Sequence, residues 1–314
     1  LLGIGGAFCL IGALLFIIGF TSGGTQYVHA TNLNSMNAQE DSKESANRFT
    51  LKKTEIPDFT SLNINLEDSD LNIEESPNEK SYIEYVQATK DKKNPLSYSI
   101  ENGTLTLKEA GNTGASYYIN VDISFLQAAL SSKNIEDYTK ESSKYENYVT
   151  LYLPKDKLVS SAKIYLGYGD FYVKNAAFDT INIKLDDGDF DANTLTANSG
   201  KLTFSYGDCD LQKASLGNIS LTSKDGDLTV DELTLSGKTK IALSYGDAEI
   251  TLNDSTKKVS GFDLATHYGT ITASGLNGNK TVDEDDDVNT FQSDSKDGKT
   301  KLAIDSKDGD ITLK

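Results

Sequence analysis

The sequence predicts an all-β protein: a parallel β-solenoid (β-helix) with coils of 19 to 20 residues, preceded by one N-terminal transmembrane helix. Three observations carry that reading. The first is an internal repeat, YGDFYV, DGDFDA, YGDCDL, DGDLTV, YGDAEI, YGTITA and DGDITL, centred on Gly169, Gly188, Gly207, Gly226, Gly246, Gly269 and Gly309. Its first four intervals are 19, 19, 19 and 20 residues. The second is a switch of side-chain parity at every one of these glycines. The third is an uncharged apolar run over residues 1–20.

The apolar run LLGIGGAFCLIGALLFIIGF is long enough, as a helix, to cross the roughly 30 Å hydrocarbon core of a bilayer. The next cationic residue is Lys43, so the positive-inside rule places the rest of the chain outside. The alternative is a secretory signal cleaved after Val28-His29-Ala30. Both readings put the body outside the cytoplasm, and the anchor reading makes it a single-pass protein of the cell membrane. Residues 21–48 are rich in Gly, Ser, Asn and Gln without apolar period, and are expected to form a flexible extracytoplasmic stalk. Residues 49–314 are then the β-repeat domain.

Within the repeat, Ile164, Ile183, Leu202, Leu221, Ile241, Leu264 and Ile304 stand five residues before the glycine. Phe171, Phe190, Cys209, Leu228, Ala248, Ile271 and Ile311 stand two after it, and Val173, Ala192, Leu211, Val230, Ile250, Ala273 and Leu313 four after it. Apolar residues thus occupy odd offsets before the glycine and even offsets after it. A continuous strand alternates with period two and cannot do this, whereas a corner can. Glycine supplies the backbone angles of such a corner, and Asp bonds nearby amides. A third apolar pair follows at seven and nine residues, as in Leu195 and Ala197 or Leu233 and Leu235. Each repeat is therefore one coil, and stacking aligns equivalent positions about 4.8 Å apart. No coil is stable alone, because each buries its apolar edge only against its neighbours.

Two earlier segments fit the same template: Ile64, Leu66, Leu71 and Ile73 about Ser69, and Tyr98, Ile100, Leu105 and Leu107 about Gly103. An insertion near 110–144 breaks the array, with a helical turn expected at 125–130. A second, near 274–299, carries the acidic run 283–287 and is expected to be a disordered surface loop.

The run YVTLYLPKDKLVSSAKIYLGYGDFYV (148–173), followed by Gly-Asp strands behind one membrane segment, resembles the Gram-positive adhesin family. These are β-strand-repeat proteins of the cell envelope with a domain of unknown function. The resemblance covers roughly residues 49–314. It implies an envelope location and a β-repeat body, and brings no functional residues with it. The insertions near 110 and 274 depart from a regular array.

The formal net charge of −17 excludes the phosphate-neutralising role that nucleic-acid binding needs. Cys9 and Cys209 are not expected to pair, since one falls in the apolar run. Two cysteines, two histidines and no CxxC argue against zinc. The corner carboxylates Asp170, Asp189, Asp208, Asp227, Asp247 and Asp310 would stack in file, the first five being weak candidates for calcium, which wants several oxygens. Neither the nonapeptide calcium repeat nor the EF-hand loop is present, so turn chemistry is the preferred reading. Two carboxylates about 5 Å apart in water repel by only about 1 kcal/mol, which stacking absorbs. Tyr168, Asp187, Tyr206, Asp225, Tyr245, Tyr268 and Asp308 precede the glycines. They read as corner-closing residues first and as sugar-stacking aromatics second. His29 and His267 are isolated, and Cys209 reads as a small buried hydrophobe.

No phosphate loop, dinucleotide turn or nucleophilic triad is visible, so neither a cofactor nor a catalytic residue is expected. The expected function is adhesion, binding or envelope maintenance without catalysis. Its partner would be a cell-envelope or host-surface protein or glycan, with the membrane contacted through residues 1–20. The alternatives are a polysaccharide-active enzyme on a β-helix and a structural spacer. Removing residues 1–48 should leave a soluble, folded fragment with a strand-type circular dichroism spectrum. Aggregation or unfolding of that fragment would make the N-terminal segment part of the fold.

Overall fold

The computed structural model describes residues 28–29, 47–89, 92–110, 119–120, 147–283 and 287–314. The chain divides into two compact units, residues 1–45 with 112–145, and residues 46–111 with 146–314. In the first, Val28–His29 pairs in parallel with Ile119–Asn120. The expected membrane segment and the helical turn at 125–130 lie outside the described residues, as does nearly all of the stalk. Among the described residues, no helix is long and apolar enough to cross a membrane.

The second unit is a parallel β-solenoid. Cys209–Asp225 pairs in parallel with Phe190–Tyr206 on one side and with Leu228–Leu235 and Lys238–Tyr245 on the other. Its register is the one the repeat requires: Leu202 faces Leu221, Leu221 faces Ile241, Phe190 faces Cys209 and Cys209 faces Leu228. No residue of the column five before the glycine is more than 4% exposed. The columns two and four after it are buried too, apart from half-buried Ala273 in the outermost coil. A further column three before the glycine also points inward, with Leu166, Leu185, Phe204 and Leu243. Three consecutive residues, such as Tyr206, Gly207 and Asp208, then round the outside of the corner before Cys209 turns in. That is the parity switch in physical form. Buried, each large column residue contributes roughly 1.5–3 kcal/mol. Aromatic neighbours add specific contacts, with Phe171 and Phe190 stacked at 5.0 Å.

Stacking order differs from chain order at both ends of the body. Ser61–Leu66 and Asp70–Glu75 lie against Leu158–Tyr168 and Phe171–Val173, so the coil about Ser69 adjoins the coil about Gly169. At the other end, Lys301–Asp308 inserts between Lys238–Tyr245 and Gly261–Tyr268. Ile311–Leu313 likewise lies between Ala248–Leu252 and Ile271–Ala273. The chain prepares this slot with a short helix, Asp254–Val259, capped by the Asn253 side chain on the Thr256 N–H at 2.8 Å. The Thr256 hydroxyl, buried, accepts from the Leu235 N–H at 3.1 Å and fixes the helix to the coil beneath.

Antiparallel strands close both ends of the stack. At one end Thr104–Glu109 and Tyr148–Leu153 lie against the Ser69 coil, and Leu96–Glu101, Ser81–Thr89 and Asn47–Ile56 pair antiparallel around them. That last coil has no Gly-Asp corner of its own. Buried Glu109 stands in, accepting the Glu67 and Asp68 N–H groups at 2.8 and 3.0 Å. Burial raises its pKa, and these two bonds oppose the rise. Charged residues such as Lys52 and Lys53 on the outermost strand blunt its open edge.

Two segments depart from the sequence expectation. The segment about Gly103 is not a coil but a hairpin, with Asn102 at φ 49° and Gly103 at φ 72°. Two successive positive φ values reverse the chain instead of bending it. Leu105 and Leu107 are buried, but against Leu62 and Ile64. The segment near 274–299 is not a disordered loop over its described residues either, residues 284–286 of the acidic run lying outside them. Asn279–Asp283 and Val288–Ser293 form an antiparallel hairpin that covers Gly261–Tyr268. Phe291, buried opposite Leu264, anchors it.

The corner glycines are set by contact between coils. A Cβ on Gly207, whose φ is +121°, would stand 2.2 Å from the Gly188 carbonyl oxygen, and the same clash recurs from coil to coil. Gly207→Ala should therefore destabilise the body by about 3 kcal/mol or more, from backbone strain plus forced separation of two coils. Gly275→Ala, at φ +71° with open space around it, should cost only about 1–2 kcal/mol. Thermal unfolding followed by circular dichroism gives the comparison, and equal shifts would refute the contact argument.

Candidate binding surface

The corner aspartates form a continuous hydrogen-bonded file. The Asp208 N–H donates to Oδ1 of Asp189 at 2.9 Å, that of Asp227 to Asp208 at 2.8 Å and that of Asp247 to Asp227 at 2.8 Å. The file continues from Asp310 to Asp247 and from Thr270 to Asp310, both at 2.7 Å. In the other direction Asp189 donates to Asp170 and Asp170 to Asp70, both at 2.9 Å. The corner bend withdraws each of these N–H groups from a regular ladder, and the carboxylate of the adjoining coil receives it. Asp170, Asp189, Asp208, Asp227 and Asp247 therefore each commit one oxygen to holding two coils together. Among the described residues, no three His, Cys, Asp or Glu side chains are gathered in a metal-holding group.

Asp191 and Asp210 face each other two positions further on. Partial burial raises the Asp191 pKa, and the carboxylates of Asp210, Asp189, Asp170 and Asp208 raise it further. Cys209, between Asp208 and Asp210 in the chain, points inward, buried and without a disulfide partner. Burial first, then the same acidic surroundings, hold its thiol far above the ordinary range, which makes it a poor nucleophile. His267 is exposed beside Tyr268, and His29 falls in the short Val28–His29 strand.

The residues just before the corner glycines gain an order that the chain sequence lacks. Along the sequence Tyr245 is followed by Tyr268 and then Asp308. In the stack Tyr168 adjoins Asp187, Tyr206 adjoins Asp225, Asp225 adjoins Tyr245, and Asp308 lies between Tyr245 and Tyr268. With the Gly188 N–H bonded to the Tyr206 carbonyl, the file alternates without a break: Tyr, Asp, Tyr, Asp, Tyr, Asp, Tyr. Tyr168, Tyr206, Tyr245 and Tyr268 are 59, 58, 61 and 66% exposed.

A second surface went unrecognised in the sequence. The outer face of the sheet before the corners carries Lys163, Lys184, Lys201 and Lys240, so an acidic protein holds a locally basic face. The signal was present, since these lysines occupy outward offsets, but their neighbours belong to different coils. Tyr165 donates to Asp186 at 3.0 Å, and its pKa is pushed up to about 12 by burial and that bond. Open depressions of about 540 and 450 Å³ lie on this face between the lysine stems. In the larger one Asp263 is bonded to Lys301 at 2.9 Å, which holds its carboxyl below the usual range. That is the reverse of what a general acid requires.

Residues 59–314 match the family model described as Toastrack DUF4097. No curated protein matches the chain. Among solved structures it is similar to a candidate cell-adhesion protein from Clostridium sporogenes, with 14% identity over 83% of this chain and 99% of that one, at a TM-score of 0.32. It is also similar to a candidate adhesin from Bacteroides fragilis, with 10% identity, 86% and 99% coverage and a TM-score of 0.41. A candidate lipid-binding protein from Parabacteroides distasonis shares 12% identity, with 85% and 97% coverage and a TM-score of 0.37.

The acidic surroundings of Asp191 have a pH consequence. The folded protein binds the Asp191 proton more tightly than the unfolded chain, so stability falls as pH rises from the ordinary aspartate range through the raised value. The penalty is complete at neutral pH. Asp191→Asn should raise the melting temperature at pH 7, and the gain should vanish below about pH 3.9, where the unfolded carboxyl is itself protonated. A gain independent of pH would assign the effect to packing.

Proposed function

Given that the chain belongs to the Toastrack DUF4097 family over nearly all of its solenoid, we propose that it is a non-catalytic binding protein displayed on the cell surface, serving adhesion or envelope maintenance. A single N-terminal membrane segment at residues 1–20 carries it, and the body stands outside the cytoplasm. The observation that supports this most is the filled interior. The inward columns are packed mainly with Leu, Ile, Val and Phe, interrupted by small polar residues such as Ser223, Thr266 and Ser306, so they form a core and not a lined substrate cleft. Polar chemistry is spread along outer faces that repeat from coil to coil. Such a surface binds an extended partner through many modest contacts, with a protein or glycan of the envelope or of a host as the expected class.

The test uses intact cells displaying the full chain. Protease added outside should release the body, and displaying cells should bind envelope or host surfaces that non-displaying cells do not. Asp208→Asn should leave that binding nearly unchanged, because the amide oxygen still accepts the Asp227 N–H. Leu202→Asp should abolish display by placing an unpaired charge in the core. If one surface carboxylate removed a glycan-cleaving activity while the body stayed folded, a polysaccharide-active enzyme would replace this reading. Display without any binding would leave a spacer.

A further inference from the structure

The corner edge combines three properties. Four tyrosine rings stand more than half exposed in one file, aspartates separate them, and the period is two coils, about 9.6 Å at the spacing of hydrogen-bonded strands. Beside this file run the corner carboxylates from Asp70 to Asp310, then Asp191 and Asp210. Lys224 and Lys307 are the cations placed next to it in the chain, and they leave the edge acidic overall. Corner closure alone asks only for a glycine and an acceptor; it does not call for aromatic rings held in water at every second coil.

We infer that this edge is a docking ridge for a cationic, flat-faced glycan: a β-1,4-linked polymer carrying free amino groups, laid along the solenoid axis. The inference rests on the reading of the protein as a surface-binding body and names the class of its ligand. Three features select this occupant. Charge complementarity favours a cation and opposes anionic polymers. An exposed ring on a ridge offers a flat apolar face with a negative quadrupole, suited to the C–H face of a pyranose and to a nearby ammonium. The third feature is period. Each sugar of an extended β-1,4 chain advances roughly 5 Å, close to the strand spacing of about 4.8 Å, and successive sugars turn over. Every second sugar therefore presents the same face, as every second coil presents a tyrosine. One sugar stacks on Tyr206 and the next sets its amino group toward Asp225, and the pattern continues to Tyr245 and Asp308. A cationic polyproline-type peptide has a similar period, roughly 9.3 Å per turn, but it docks in aromatic-lined grooves, whereas these tyrosines stand more than half exposed.

The test is retention of the full chain, held in detergent, on beads of β-1,4-glucosamine polymer (chitosan). Beads of its fully acetylated form (chitin) and an immobilised Lys/Pro-rich peptide serve for comparison. Chitosan should retain the protein at least about tenfold better than chitin, and the retention should fall with salt. The double variant Tyr206→Ala/Tyr245→Ala should lose about tenfold, and Tyr168→Ala/Tyr268→Ala, at the two ends of the file, should lose several-fold. Asp225→Asn should weaken chitosan binding and flatten its salt dependence. Tyr98→Ala, an exposed tyrosine on the capping hairpin, should change nothing. Unchanged retention of both tyrosine pairs, with folding confirmed by circular dichroism, would overturn the inference. So would equal retention on chitin, or a preference for the peptide that depends on the same tyrosines. Failure to bind chitosan while displaying cells still adhere would sink this inference alone, whereas loss of adhesion altogether would sink the surface-binding reading beneath it.

Discussion

The distance between stacked coils governs this molecule. Parallel strands must lie about 4.8 Å apart to keep their hydrogen bonds, and at a corner the bend brings backbone against backbone. In coil after coil, the place where a Cβ would stand on the corner glycine is taken by the carbonyl oxygen of the glycine beneath, as between Gly207 and Gly188. Only glycine lets the coils close to ladder distance there. At Gly207 and Gly226 it also adopts a positive φ that other residues resist. Once that spacing holds, the inward columns meet in register and the core forms as a set of ladders.

The same bend explains the aspartates. A corner turns a backbone N–H away from the carbonyl it would meet in a flat sheet, and leaving it unmet would cost free energy. The carboxylate of the adjoining coil supplies the acceptor, so the file of Asp side chains is a structural seam. Repulsion along the file is offset by those bonds and by water. Where the seam broadens, at Asp191 and Asp210, partial burial and then the neighbouring carboxylates raise the Asp191 pKa. The seam that joins the coils is also the edge whose charge the proposed ligand would meet.

The ends of the stack obey a different constraint. A solenoid cut at any coil exposes unpaired strand edges, which invite association. Antiparallel hairpins cover both ends, and buried Glu109 replaces a corner where the coil lacks one. Inserting Lys301–Asp308 between two earlier strands gives that segment neighbours on both sides. It also brings Asp308 between Tyr245 and Tyr268, and so completes the alternation along the corner edge.

The columns were legible in the sequence because they are local. Ile183, Leu202 and Leu221 sit at one fixed offset from a glycine, and a parity switch has no explanation in a flat strand. The corner Gly-Asp pair was legible for the same reason. Three features depended on the tertiary structure. Gly103 shares the apolar spacing of a coil, yet Asn102 and Gly103 together reverse the chain, and the difference lies in two backbone angles that spacing does not encode. Phe291 could anchor a hairpin only once Leu264 was placed opposite it. The order of the last coils, and with it the alternation of Tyr245, Asp308 and Tyr268, is set by the pairing of Lys301–Asp308 with strands far away in the chain. Sequence determines which side chains point inward, because that follows from the period of the backbone. Which coil lies beside which is fixed only when the hydrogen bonds of the whole stack are closed.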